Sequence, residues 1–88
     1  MKADSSYNES FLLQLTATGD ENAFRKIYEN YLNKLYSYAF RLTQKEELAE
    51  EVVQDVFLKI WVNRGELTEI QKFDSYLYTI VRNQCFNC

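Results

Sequence analysis

The chain contains no proline and only two glycines in 88 residues. No other feature of the sequence constrains the fold as much. Proline removes a backbone donor and clashes with the preceding turn, and glycine weakens a helix interior. A chain so poor in both is set to form long helices, with Gly19 and Gly65 marking where helices stop. Apolar residues make up 47% of the sequence and aromatic residues 16%. That is enough for a packed core and argues against disorder. The length allows one small domain. The expected fold is all-α, a compact bundle of about four helices spanning residues 9–88, preceded by a tail over residues 1–8.

The first helix is expected over residues 9–18. Ser6 and Glu9 fit a capping box at its start, and Gly19 is a natural C-terminal stop. The second follows Asp20, a good N-cap, and runs to residue 42. In it Phe24, Ile27, Tyr28, Tyr31, Leu35, Ala39 and Leu42 form an apolar stripe at helical spacing. Thr43 and Glu46 suggest another capping box and a third helix over residues 44–63, closed by Gly65. Residues 64–69 read as a loop. The fourth helix begins near residues 72–74 and meets no stop signal before Cys88. The chain is therefore expected to be a fragment of a longer protein.

Several functional classes lose their usual chemistry. Histidine is absent, and with it the usual general base and the commonest metal ligand. The formal net charge of −3 does not suit a general nucleic-acid binder. No apolar run is long enough to span a membrane, and the N-terminus lacks the apolar core of a signal peptide, so a cytoplasmic protein without membrane insertion is expected. Cys85 and Cys88 form a lone CxxC with no further ligands to complete a zinc site and no βαβ context for redox chemistry. They read as ordinary reduced thiols. Glu46, Glu47, Glu50, Glu51 and Asp55 superficially suit a carboxylate-bridged metal, but such bundle sites need inward-facing Glu and Glu-x-x-His. No metal and no cofactor are expected.

Two helix faces are not explained by packing. At about 100° per residue, Ala49, Val52, Val53, Val56, Phe57 and Ile60 gather on one side of the third helix as its core face. Glu51, Gln54 and Asp55 gather opposite, with Leu58 and Val62 among them. Carboxylates and an amide around an aliphatic strip suit the docking of a basic partner helix. A solvated face with scattered apolar residues fits the same pattern. On the fourth helix, Phe73, Leu77 and Ile80 centre the apolar side. Lys72, Tyr78, Thr79, Arg82 and Phe86 lie on the far side, and Asn83 on the flank. Rings among cations suit single-stranded nucleic acid, where bases stack and phosphates meet Lys and Arg. Packing of Tyr78 and Phe86 against another part of the protein is the alternative.

Three strings, in this order and spacing, resemble region 2 of the extracytoplasmic-function (ECF) group of sigma-70 factors. They are Gly-Asp-Glu-Asn-Ala-Phe at 19–24 with Ile-Tyr-Glu-Asn-Tyr at 27–31, Ala-Glu-Glu-Val-Val-Gln-Asp-Val-Phe-Leu-Lys-Ile-Trp at 49–61, and Phe-Asp-Ser-Tyr-Leu-Tyr-Thr-Ile-Val-Arg-Asn at 73–83. The resemblance implies a bacterial transcription initiation factor and not an enzyme. It implies that Glu51, Gln54, Asp55 and Leu58 contact the clamp helices of the RNA polymerase β′ subunit. It also implies that residues 63–83 recognise and melt the promoter −10 element by capturing non-template bases. Lys72, Tyr76, Arg82 and Asn83 are then the DNA-binding candidates, and Phe73 anchors the loop. Asp is more usual than Glu51 in the family, and Trp more usual than Tyr76. The family's second domain, which reads the −35 element, has no counterpart in these residues. Anti-sigma factors are further possible partners. A helical protein–protein interaction module without melting activity is the alternative reading.

Overall fold

A computed structural model describes residues 8–86. Four α-helices and one 3-10 helix follow one another: α1 (Glu9–Ala17), α2 (Glu21–Thr43), α3 (Glu46–Val62), η1 (Arg64–Glu69) and α4 (Phe73–Phe86). The all-α bundle is the architecture that the lack of breakers implies.

The helix ends show which local signals act. Asn8 caps α1, its side-chain oxygen accepting from the Phe11 amide at 3.1 Å. Ser6, the expected capping residue, lies outside the described residues. Glu9 instead accepts a hydrogen bond from the Tyr31 hydroxyl at 2.5 Å, which ties α1 to α2. The stop at Gly19 is as expected: its φ of 102° is left-handed, and two amides reach back, Gly19 to the Thr16 carbonyl and Asp20 to that of Leu15. That pair of bonds is a Schellman motif, which favours glycine at this position. Asp20 then caps α2 through the Ala23 amide at 3.1 Å.

Other expected signals fail. Thr43 does not cap α3; it is the last residue of α2, and its hydroxyl bonds the backbone of Lys45. Lys45 takes the N-cap position of α3 with no side-chain bond. Nor does Gly65 close α3. The helix ends at Val62, Asn63 donates from its side chain to the Lys59 carbonyl, and Gly65 lies inside η1. The segment 64–69, expected to be a loop, is the 3-10 helix, held by Leu67, which is buried. The expected continuation of α4 through Cys88 lies outside the described residues.

Only Gln44 and Lys45 separate α2 from α3. So short a link makes the two helices antiparallel neighbours. Rings along their seam confirm it: early α2 meets late α3 through Phe24 and Trp61, with centroids 5.0 Å apart, and Tyr28 and Phe57, 4.8 Å apart. α1 lies against α2 and η1, while α4 packs on both α2 and α3. Ile27, Leu35, Val56, Leu77 and Val81 meet in the centre, all fully buried. Burial of such side chains, each contributing about 1.5–3 kcal/mol, is the main force holding the bundle.

Candidate functional site on two helix faces

The sequence pattern of α3 maps directly onto its burial. Ala49, Val52, Val53, Val56, Phe57 and Ile60 are buried, and Glu51, Gln54, Asp55, Leu58 and Val62 are exposed. Leu58 is 60% exposed and Val62 65%. Two aliphatic side chains this open, on a face that also carries carboxylates, have no packing role within the described residues. Glu46, Glu47 and Glu50 extend the acidic character toward the N-terminus of α3. Carboxylates in that first turn also complement the positive end of the helix dipole.

The far side of α4 is less open than its pattern implies. Lys72, Arg82 and Asn83 are exposed. Phe86 is 67% exposed, and the Arg82 guanidinium lies 5.8 Å from its ring centroid. Tyr78 is only half-exposed, because its ring meets Tyr38 of α2 edge-on at 5.1 Å. Its expected place on an open far side is therefore corrected: it packs within the chain. Tyr76 is half-buried at the rim of the core beside Phe73, with centroids 6.5 Å apart. Phe73 is itself buried against Tyr31 at 5.6 Å, so the start of α4 is pinned to α2. The Lys72 carbonyl accepts the Tyr76 amide at 3.0 Å, which holds Lys72 at the helix entrance.

One side chain joins the two faces. Gln84 of α4 accepts from Lys59 Nζ at 2.6 Å and donates to Asp55 at 3.5 Å. Helical periodicity cannot reveal this bridge, because it spans two helices 25 and 29 residues apart in sequence. Arg64 gives η1 a comparable anchor. Its guanidinium lies 4.4 Å from the Trp61 ring centroid and donates to the Trp61 carbonyl at 2.9 Å. Cys85 is half-buried at the edge of the core, and Cys88 lies outside the described residues. Among the described residues, no group of His, Cys, Asp and Glu is arranged to hold a metal, and no helix is long and apolar enough to cross a membrane.

The α2–α3 seam was not singled out from the sequence. A groove of about 390 Å³ opens there, lined by Tyr28, Leu32, Tyr36, Glu50, Val53 and Gln54 among others. The Tyr36 phenol is held above its ordinary pKa, first by desolvation and then by the carboxylates of Glu46 and Glu50.

Comparison with known proteins places the chain in a family. The Sigma-70 region 2 family model matches residues 27–87, more than half of the chain. Over 65 residues the chain is 32% identical to the ECF RNA polymerase sigma factor SigW of Bacillus subtilis, covering 74% of this chain and 35% of that protein. Over 55 residues it is 29% identical to the ECF RNA polymerase sigma factor SigK of Mycobacterium tuberculosis, covering 62% of this chain and 29% of that one. It thus spans about a third of the length of these curated relatives. An NMR structure of an engineered region 2 of sigmaE in complex with GTAAAA superposes with a TM-score of 0.80 at 25% identity, covering 97% of this chain and 88% of that one.

Proposed function

This chain belongs to the sigma-70 region 2 family, and from that premise we propose that it is the part of an ECF-type initiation factor that docks on core RNA polymerase and opens promoter DNA. The outer face of α3 meets the β′ clamp helices. The segment 63–72 and the outer side of α4 take up non-template bases of the −10 element. One observation carries this reading: the likeness extends over 97% of the chain to a region 2 in complex with GTAAAA, while Lys72, Arg82, Asn83 and Phe86 all point away from the core of this chain.

The division of labour follows from the chemistry. Glu51, Gln54 and Asp55 steer and align a basic partner helix, and Leu58 supplies apolar area that leaves water on docking. Lys72 and Arg82 meet phosphates, Asn83 offers an amide to a base edge, and the exposed Phe86 ring is a stacking surface. Tyr76 contributes only its outer edge. Extruding a base costs a few kcal/mol of stacking, which its capture offsets, so the open strand is trapped rather than pulled apart. No covalent step is required. With a net charge of −3, the domain binds free DNA weakly and gains it when held beside the polymerase. The setting is the cytoplasm, and an anti-sigma factor covering the α3 face would silence the domain.

A second reading, a helical interaction module without melting activity, draws on Leu58 and Val62, which would serve any helical partner. One experiment separates the two. Affinity for the β′ clamp-helix fragment of a bacterial polymerase is compared between the parent and a Gln54→Ala, Asp55→Ala double variant, with circular dichroism confirming equal folding. The expected result is salt-sensitive binding that the variant loses by about 2 kcal/mol. Binding of single-stranded GTAAAA in preference to its duplex supports base capture; indifference to strandedness supports the interaction module. No binding of the fragment by the parent removes the docking reading.

A further inference from the structure

Two parallel stripes run along α2. Ala23, Ile27, Tyr31, Leu35 and Ala39 recur every fourth residue and are buried. One residue on, Phe24, Tyr28, Leu32, Tyr36 and Phe40 recur at the same spacing, yet none of them is fully buried. The second stripe is displaced by about 100° toward α3 and should be closed by it. At one end Phe57 and Trp61 meet Phe24 and Tyr28 with ring contacts, beside a pocket of about 340 Å³ that Glu21 and Arg25 also line. At the other end α3 presents Glu50, Val53 and Gln54 instead of rings, and the seam stays open as the groove of about 390 Å³. Phe40, stacked on Tyr36 with centroids 6.4 Å apart, extends the aromatic wall beyond it.

The groove has a definite chemistry. One wall offers Tyr28, Leu32, Tyr36 and the Asn33 amide; the other offers the Glu50 carboxylate and the Gln54 amide. Glu46 is close enough to Tyr36 to oppose ionisation of its phenol. Glu46, Glu47, Glu50 and Glu51 are all exposed, and none forms a salt bridge among the described residues. A cationic occupant complements these carboxylates best. A carboxylate would be repelled, and an aliphatic group would strip water from Glu50 without replacing its hydrogen bonds. A guanidinium satisfies both walls. Its flat face stacks on a phenol ring, and its fork of N–H donors meets a carboxylate and an amide oxygen together. An ammonium has no flat face to stack.

Gln54 belongs both to this groove and to the outer face of α3, so the two surfaces are continuous. Resting on the docking function proposed above, we infer that the α2–α3 groove seats one arginine side chain of the polymerase clamp helix that lies on α3. The acidic face selects the helix, and the groove fixes its register, because a single side chain must enter between Tyr36 and Glu50.

The test uses the 88-residue chain and the β′ clamp-helix fragment, with calorimetric titration and a melting curve for each variant. Glu50→Gln and Tyr36→Leu are each expected to weaken binding about tenfold, as the loss of a charge-assisted or cation–π contact implies. Tyr36→Phe, which keeps the ring, is expected to weaken binding less than Tyr36→Leu does. Arginines of the fragment are then changed singly to glutamine, and one of these changes should lose its effect in the Glu50→Gln background. If Glu50→Gln and Tyr36→Leu stay within about twofold of the parent while Gln54→Ala with Asp55→Ala abolishes binding, the docking face stands and the arginine seat is overturned. Failure of the parent to bind overturns both.

Discussion

On α3 the docking candidates stand exposed where one helix's periodicity puts them, and of these only Asp55 is met by a neighbouring element's hydrogen bond, from Gln84 of α4. On α4 the outward side has been partly taken over by the rest of the bundle. Tyr78 rests on Tyr38, Tyr76 is drawn to the core rim, and Gln84 reaches across to Lys59 and Asp55. The difference comes from position in the bundle. Both helices pack on two others, but those around α4 carry side chains that reach its flank: Tyr38 of α2 meets Tyr78, and Lys59 and Asp55 of α3 meet Gln84. A face inferred from a single helix survives folding only where no third element reaches around it.

The largest expected effect lies at the root of α4. Phe73→Ala removes a ring buried against Tyr31 and should lower stability by about 3–5 kcal/mol in denaturant unfolding, with single-strand binding lost alongside. The same truncation on α3 separates stability from function. Leu58→Ala should leave the unfolding midpoint nearly unchanged and weaken clamp-helix binding by about 1–2 kcal/mol. If it destabilised the fold instead, the two faces would not differ in the way described. Salt dependence sharpens the contrast further. Lys72→Ala and Arg82→Ala should each lower the slope of log K against log salt for single-stranded DNA by about 0.7, whereas Leu58→Ala should leave that slope alone.

The link between the faces is worth less. Gln84→Ala should cost about 0.5 kcal/mol of stability, since its bonds are solvent-exposed, but should change binding at the α3 face through Asp55. An unchanged affinity would make the faces independent. The smallest effect is confined to high pH. The Tyr36 phenol has a raised pKa in the folded chain, so the unfolded chain ionises first as pH passes about 10. Below that value both states hold the proton, and the stabilisation is fully present. It is lost as pH rises from there through the folded pKa. Tyr36→Phe should flatten this loss in unfolding measurements made across that range.

Much of the fold is legible in local pattern. The i, i+3, i+4 apolar spacing locates the core faces of α2, α3 and α4, and Gly19 and Asp20 mark the α1–α2 junction through backbone conformation and capping. Thr43 and Glu46 have capping spacing, but Thr43 remains helical at the end of α2. The 64–69 segment has a loop's composition, but burial of Leu67 against its neighbours winds it into a 3-10 helix. At 64–69 packing of Leu67 outweighs a preference of less than about 1 kcal/mol per residue, whereas at Thr43 the end of α2 is set locally, by the Gln44 amide closing on the Phe40 carbonyl.

The sequence by itself determined that this chain is helical, where its core faces lie, which α3 side chains remain open, and which family it resembles. Each of these depends on residue type and on spacing along one helix. Only the tertiary structure decided that Tyr78 packs on Tyr38, that Gln84 joins the two faces, and that the α2–α3 seam pairs rings at one end and sets Tyr36 beside Glu50 and Gln54 at the other. Those outcomes depend on which side chains meet across helices, and periodicity within a helix carries no record of its partner's register.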